Sequence, residues 1–90
     1  MIEDNNIEKE RIKLEKEYKK YIDEWYQMGD GTIIQIKGIR YNPNNYGYLK
    51  YQFEAFVPNC DDWLDIDIND VENNKIEHIP KNKVGKYLGI

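Results

Sequence analysis

Six acidic residues fall within twelve positions in the second half of the chain, and no lysine or arginine interrupts them. They are Asp61, Asp62, Asp65, Asp67, Asp70 and Glu72. Carboxylates at this density could bind a metal ion, share acid–base chemistry, or present negative charge to a basic partner. The elements that carry the run decide between these uses.

A calcium-binding EF-hand loop is one arrangement that such a run could form. Asp65, Asp67 and Asn69 match the first three ligand positions of that loop. Asp70 then stands where the loop needs glycine, and Ile76 stands where it needs a bidentate glutamate. The acidic residues also alternate with apolar ones, which is typical of a half-buried strand. We therefore predict no metal site and no other cofactor.

Side chains that could act as nucleophiles or as general acids and bases are few. Cys60 is the only cysteine, His78 is the only histidine, and the chain has no serine. A Cys–His pair would require the fold to bring together residues that are distant in sequence. Asp65 and Asp67 would share a strand face, but nothing around them predicts the desolvation that tunes a catalytic carboxyl group. We predict that the protein is not an enzyme.

The single cysteine also bears on the compartment. It excludes an intrachain disulfide, which favours a reducing environment. The N-terminus, MIEDNNIEKE, is acidic where a signal peptide would be basic and then apolar, and no apolar run approaches the roughly 18 residues of a membrane span. We expect a cytoplasmic protein that does not contact a membrane.

The acidic run could also be a surface that binds another protein. The formal net charge is −4 and only two residues are arginine, so we expect no direct binding of duplex nucleic acid, which relies on clustered basic residues. Along a strand, the carboxylates would form a row of charge that a basic protein groove could accept in place of a nucleic-acid backbone. A solvated strand face that protects a sheet edge from aggregation is the alternative. The predicted surface comprises Asp61, Asp62, Asp65, Asp67 and Asp70.

Aromatic residues near the same region strengthen the case for an interface. Trp63 lies within the acidic run, and Tyr41, Tyr46 and Tyr48 surround a predicted hairpin. Tyrosine and tryptophan are favoured as interface anchors. The tyrosines could instead stack on a small planar ligand, cage a cation, or cover the core.

These observations favour a non-enzymatic binding protein that blocks a basic, nucleic-acid-binding surface of a larger protein. In its small size and acidic character the chain is similar to the inhibitors that phages encode against bacterial defence systems, such as those of the anti-CRISPR type. One alternative is a module that sequesters a small ligand or nucleotide through its tyrosines. Another is a structural subunit of an assembly.

The clearest predicted element is a central strand over residues 48–57. Its residues alternate between apolar and polar, and aromatic side chains dominate it. Segments Ile33–Tyr41 and 63–68 are the expected antiparallel partners. Gly38 falls where the apolar parity of the first partner shifts, which predicts a bulge.

A long helix is predicted over residues 5–28, since neither glycine nor proline interrupts this segment. Its apolar stripe includes Ile7, Arg11, Leu14 and Trp25. The C-terminal part of the stripe should pack on the sheet. The N-terminal part overhangs it, which predicts a weak homodimer through Ile7, Arg11 and Leu14, or a partner contact.

Residues 69–74 predict a helical turn, residues 75–79 a short strand, and Val84, Tyr87, Leu88 and Ile90 a last edge strand. The pattern WLDIDINDVENNKIEHI resembles the strand, short helical turn and strand that end an SH3-like barrel. We expect one α+β domain over residues 1–90, with a helix at 5–28 and an antiparallel meander of three to five strands at 29–90. An open sheet is preferred, and a closed SH3-like barrel is the alternative.

Overall fold

The computed structural model describes residues 2–42 and 51–89, with side chains from residue 6 onward in these ranges. Eight helices and strands follow one another in this part of the chain: α1 (Ile2–Glu17), β1 (Trp25–Gln27), β2 (Ile33–Tyr41), β3 (Tyr51–Val57), β4 (Asp62–Ile66), α2 (Ile68–Glu72), β5 (Glu77–Ile79) and α3 (Val84–Leu88). Two 3-10 turns, Lys19–Tyr21 and Lys81–Lys83, precede β1 and α3. The described strands form one antiparallel sheet in the order β4-β3-β2-β1-β5. The α+β prediction is confirmed.

Strand β3 is an inner strand of the sheet and pairs with β2 and β4, the two partners that the sequence predicted for it. Phe53, Ala55 and Val57 are buried on one face, where Phe53 is completely inaccessible to solvent. The predicted start at residue 48 lies outside the described residues. We call the face that carries these three side chains the helix face, because α1 packs over it. The opposite face is called the open face.

A β-bulge occurs in β2 at the predicted place. The register with β3 shifts between Ile36 and Gly38, so Ile36 and Ile39 are both buried although they are three residues apart. The Ile39 amide donates a hydrogen bond to the Glu15 carboxylate of α1 (N to Oε1 3.4 Å). The Arg11 guanidinium holds the same oxygen from the next turn of the helix (2.6 Å). The bulge therefore binds the helix to the sheet.

The predicted helix over residues 5–28 is wrong in its second half. Helix α1 ends at Glu17, and Trp25–Gln27 is the strand β1. β1 pairs with β2 on one side and β5 on the other, so the sheet supplies hydrogen-bond partners on both of its sides. Within it, Tyr26 is buried on the helix face and Trp25 contacts the second apolar cluster on the open face. A short aromatic run fits a strand as well as a helix. Here the pairing with β2 and β5 makes it a strand.

The turn after β1 also differs from the prediction. Residues 29–31 do not end a helix but connect the hairpin strands β1 and β2. The Met28 amide donates to the Thr32 carbonyl oxygen (2.9 Å), and the Gly31 amide donates to the Met28 carbonyl oxygen (2.9 Å). Gly31 has a φ of +92°, a conformation that favours glycine.

At the C-terminal end, β5 is formed as predicted, but the predicted last strand is a helix. Val84 is buried and Leu88 is partly buried, and both pack with Ile33 and Ile79. These helical residues are four apart, so they lie on one side of a helix. Gly89 ends it in the left-handed conformation, with a φ of +79°.

The predicted strand over residues 63–68 is shorter than expected. Strand β4 ends at Ile66, and Asp67 caps α2 by accepting a hydrogen bond from the Asn69 amide (2.9 Å). Ile68 and Val71 are buried on α2, which confirms the predicted helical turn in this region. The expected order of strand, short helix and strand is therefore present.

The sheet is open in the described part of the chain. Strands β4 and β5 are the outer strands and do not pair with each other, so the preferred alternative of an open sheet is the one observed. No helix among the described residues is both long enough and apolar enough to cross a bilayer.

Candidate interaction surface

The acidic run does not form one row of charge. Asp67 caps α2, and Asp70 lies 3.8 Å from the Lys75 ammonium. Asp65 lies on β4, where its carboxylate is 3.9 Å from the Arg40 guanidinium. The expectation that Asp65 and Asp67 share a strand face is wrong, because the strand ends between them.

Four acidic residues and two aromatic ones lie together around β4. The register pairs Glu54 with Asp65 and Phe56 with Trp63 on the open face, and Asp61 and Asp62 stand at the start of the strand. We call this group the β4 patch. It comprises Glu54, Phe56, Asp61, Asp62, Trp63 and Asp65.

Trp63 is the most exposed large apolar side chain of the described residues, with 49% of its surface accessible. Its ring packs against Phe56, with centroids 5.1 Å apart and planes inclined by 58°. One side of the indole is therefore supported while the rest faces solvent. Interface anchors commonly have this form, a rigid aromatic ring held by a neighbour.

Charges around the β4 patch are mainly negative. No ion pair joins Glu54, Asp61 or Asp62 to another side chain in the described ranges. Arg40 is the nearby cation, but its side chain is 61% exposed and its contact with Asp65 is long. An exposed pair of this kind contributes at most about 1 kcal/mol. A basic partner could therefore displace Arg40 from Asp65 without a large loss.

The turn between β3 and β4 fixes the two aspartates that begin the patch. The Cys60 amide donates to the Val57 carbonyl oxygen (3.3 Å), and Asp61 takes a positive φ of 50°, which aspartate tolerates better than most residues. The Asp62 carboxylate accepts a hydrogen bond from the Trp63 amide (2.8 Å). The backbone thus orients Asp62 at the edge of the sheet.

The tyrosines predicted to join this surface lie elsewhere or outside the described residues. Tyr41 and Tyr51 are cross-strand neighbours with ring centroids 5.2 Å apart. Both share the parity of Phe53 and Ile39, so they lie on the helix face, whereas Trp63 lies on the open face. Tyr46 and Tyr48 fall in the segment that is not described. The structure therefore places Tyr41 and Trp63 on opposite faces of the sheet.

The residues predicted to mediate a homodimer have contacts within their own chain. Leu14 packs against the main core. Arg11 forms ion pairs with Glu8 and with Glu15, and Ile7 is half-buried. From residue 6 onward, the exposed large apolar side chain of α1 is Ile12, with 43% of its surface accessible. Ile12 is not part of the apolar stripe that the sequence predicted for this helix.

The residues considered for catalysis are far apart. Cys60 is exposed beside β4, and His78 is on β5, at the opposite edge of the sheet. His78 Nε2 lies 3.1 Å from the Glu24 carboxylate. No group of three histidine, cysteine, aspartate or glutamate side chains in the described ranges is arranged to hold a metal ion.

Helix α3 and the turn before it carry positive charge. Lys83, Lys86 and Tyr87 line a cavity of about 360 Å³ at α3. Lys81 and Lys83 belong to the turn before this helix. The molecule therefore has an acidic edge at β4 and a lysine-rich end at α3.

Burial raises the pKa of three tyrosines that lie on or pack against the helix face. It raises the pKa of Tyr26 to about 12, with a smaller contribution from the Glu24 charge. It also raises the pKa of Tyr18, to which the Glu72 carboxylate of α2 contributes, and that of Tyr51. These shifts indicate packing and not an acid–base site, because Tyr26 is 94% buried within the core cluster.

Sequence reasoning did not include Glu54 and Phe56 in the candidate surface. The alternation of β3 assigned Glu54 to a polar face, but only the observed register shows that it faces Asp65. No family model matches the chain, and neither a curated protein nor a solved structure matches it.

Proposed function

We propose that this protein is a non-enzymatic binding protein whose β4 patch contacts a basic surface of a larger protein and blocks it. The observation that carries the proposal is the position of Trp63. An exposed, ring-supported tryptophan stands among carboxylates that have few cations near them. Trp63 would provide the apolar anchor and the carboxylates would provide charge complementarity.

A basic surface on the partner follows from the charge of the patch. Glu54, Asp61, Asp62 and Asp65 would lie opposite lysine or arginine side chains, and such surfaces commonly bind nucleic-acid phosphates. An acidic protein bound there would exclude the nucleic acid. In this respect the protein would act like the phage-encoded inhibitors to which its size and charge are similar.

Affinity capture with matched variants tests this proposal. Wild-type protein, the variant D61N/D62N/D65N/W63A and the control K83Q/K86Q are immobilised, and a bacterial lysate is passed over each at about 0.05 M and about 0.3 M salt. The bound proteins are quantified by mass spectrometry. We expect a protein that the wild type and the control capture at low salt, that the acidic-patch variant does not capture, and that added duplex DNA displaces.

Circular dichroism and thermal unfolding of each variant must show that the fold is retained. Asp62 and Asp65 are replaced by isosteric asparagine, and Trp63 is half-exposed, so we expect little change in the melting temperature. If the acidic-patch variant captures the same proteins as the wild type, the β4 patch is not the binding surface. If duplex DNA displaces none of them, the partner surface is not one that binds nucleic acid.

A further inference from the structure

Strand β4 has one edge with which no described strand pairs. Its inner edge pairs with β3, and it is the last strand on that side of the sheet. In an antiparallel pair, every second residue turns its amide and carbonyl groups away from the partner strand. The first four of its five residues are exposed. Short charged edges of this kind can protect against aggregation, and they can also accept an added strand.

The side chains along β4 have a symmetric order. Asp62 and Leu64 point to the helix face, and Trp63 and Asp65 point to the open face, because they alternate in the strand. Leu64 and Trp63 are both exposed, at 37% and 49%. Each face of this edge therefore offers one carboxylate and one apolar side chain. An added strand would complement this edge if its first and fourth residues were basic and its second and third residues were apolar.

We propose that β4 accepts an extended, lysine- or arginine-rich segment of the basic partner as a sixth strand. The inference rests on the proposed function and names the form in which the partner binds. Backbone hydrogen bonds to the outer edge of β4 would hold the segment. Its two basic side chains would pair with Asp62 and Asp65, and its apolar side chains would cover Trp63 and Leu64. The order aspartate, apolar, apolar, aspartate is the same in both directions, so parallel and antiparallel addition both satisfy it.

Synthetic peptides test strand addition directly. The first probe has Lys-Val-Val-Lys at its centre, the second has Glu-Val-Val-Glu, and the third is the lysine peptide with every central amide N-methylated. N-methylation removes the backbone donors and keeps the charges and the side chains. Binding to the full chain is measured by the shifts of backbone amide resonances during titration.

We expect the lysine peptide to shift the β4 resonances and the glutamate peptide to leave them unchanged. The N-methylated peptide should bind at least about tenfold more weakly, which corresponds to about 1.4 kcal/mol. The variant D62N/D65N should weaken the lysine peptide, and the control K83Q/K86Q should not.

Equal binding of the lysine peptide and its N-methylated form would overturn strand addition, while a charged contact with the patch, and with it the proposed function, would stand. Absence of any shift in β4 with the lysine peptide would also overturn strand addition. The proposed function fails separately, if the capture experiment shows the same proteins on wild type and acidic-patch variant.

Discussion

Asp67 holds the first turn of α2 through one side-chain hydrogen bond. Its carboxylate accepts from the Asn69 amide, and the helix that it caps buries Ile68 and Val71. The residue is half-buried, which agrees with a structural role. Within the acidic run, only some of the carboxylates are therefore free to bind a partner.

Replacement of Asp67 by alanine should destabilise the protein by about 1 kcal/mol, because the capping acceptor is lost. Replacement by asparagine should change the free energy of unfolding by only a few tenths of that amount, since asparagine caps helices about as well as aspartate. Urea denaturation of both variants measures the difference. Equal losses for alanine and asparagine would show that charge, and not the cap, is what Asp67 contributes.

Tyr26 should make the protein sensitive to alkali. The neutral phenol fits the core, and burial raises its pKa from 10.0 to about 12. A group whose pKa is raised by folding stabilises the fold fully below the pKa that it has when unfolded, and this contribution is lost as pH rises through the folded pKa. The free energy of unfolding should therefore decline as pH rises above 10 towards about 12.

The variant Y26F should show a smaller decline in this alkaline range, because phenylalanine does not ionise. Some decline should remain, since the pKa values of Tyr18 and Tyr51 are also raised. Denaturation curves at a series of pH values give the comparison. A wild-type and a Y26F curve with the same alkaline slope would show that Tyr26 does not titrate in this way.

Helix α1 is held by one apolar side and by one carboxylate. Leu14 packs against the core, and the Glu15 carboxylate accepts hydrogen bonds from the Ile39 amide and from the Arg11 guanidinium. The helix therefore docks over the bulge of β2, where the register shift leaves the ladder irregular. Ile12 lies away from this contact.

A matched pair of substitutions tests this docking. L14D should destabilise the protein by about 2 to 5 kcal/mol, since it removes a packed leucine and brings a charge to the edge of the core. I12D should change the free energy of unfolding by less than about 0.5 kcal/mol, as surface substitutions commonly do. Thermal or urea unfolding of both variants measures the two changes in the free energy of unfolding. Similar losses in the two variants would contradict the observed docking face.

The strands were more predictable than the ends of the helices. Alternation placed β2 and β3 correctly, and Gly38 marked the bulge, because side chains that alternate across a strand leave a pattern in the sequence. Residues 18–28 were misassigned, since Tyr21, Trp25 and Tyr26 are spaced in a way that also fits a helix. Their conformation depends on pairing with β2 and β5, which are distant in sequence. The same dependence on contacts distant in sequence explains why α3 was predicted as a strand and why Glu54 and Phe56 were not assigned to the β4 patch.

At the scale of the whole molecule, a cluster of negative charge and a cluster of positive charge lie on different elements. The acidic run lies around β4, whereas Lys81, Lys83 and Lys86 belong to α3 and the turn before it, and α3 packs on Ile33 of β2 and Ile79 of β5. The sequence predicted the acidic region but not the lysine cluster at α3. This separation is why the lysine variants are a suitable control for the acidic ones.

The weak homodimer through α1 stays a prediction. Its test uses positions other than Leu14, because that side chain packs against the core. The variant I7E/I12E places charges on half-buried and exposed positions and leaves the packed leucine in place. Sedimentation at increasing concentration should show association of the wild type and less association of the variant. A wild type that sediments as a monomer at all concentrations would contradict the dimer.

The central claim is that the β4 patch is the surface that binds the partner. Amide hydrogen exchange of the full chain, measured with and without the captured partner, tests it most directly. We predict slower exchange in Asp62–Ile66 and at residues 54–56 when the partner is bound, and unchanged exchange in Val84–Leu88. Protection confined to α1 or α3, with β4 exchanging as in the free protein, would contradict the claim.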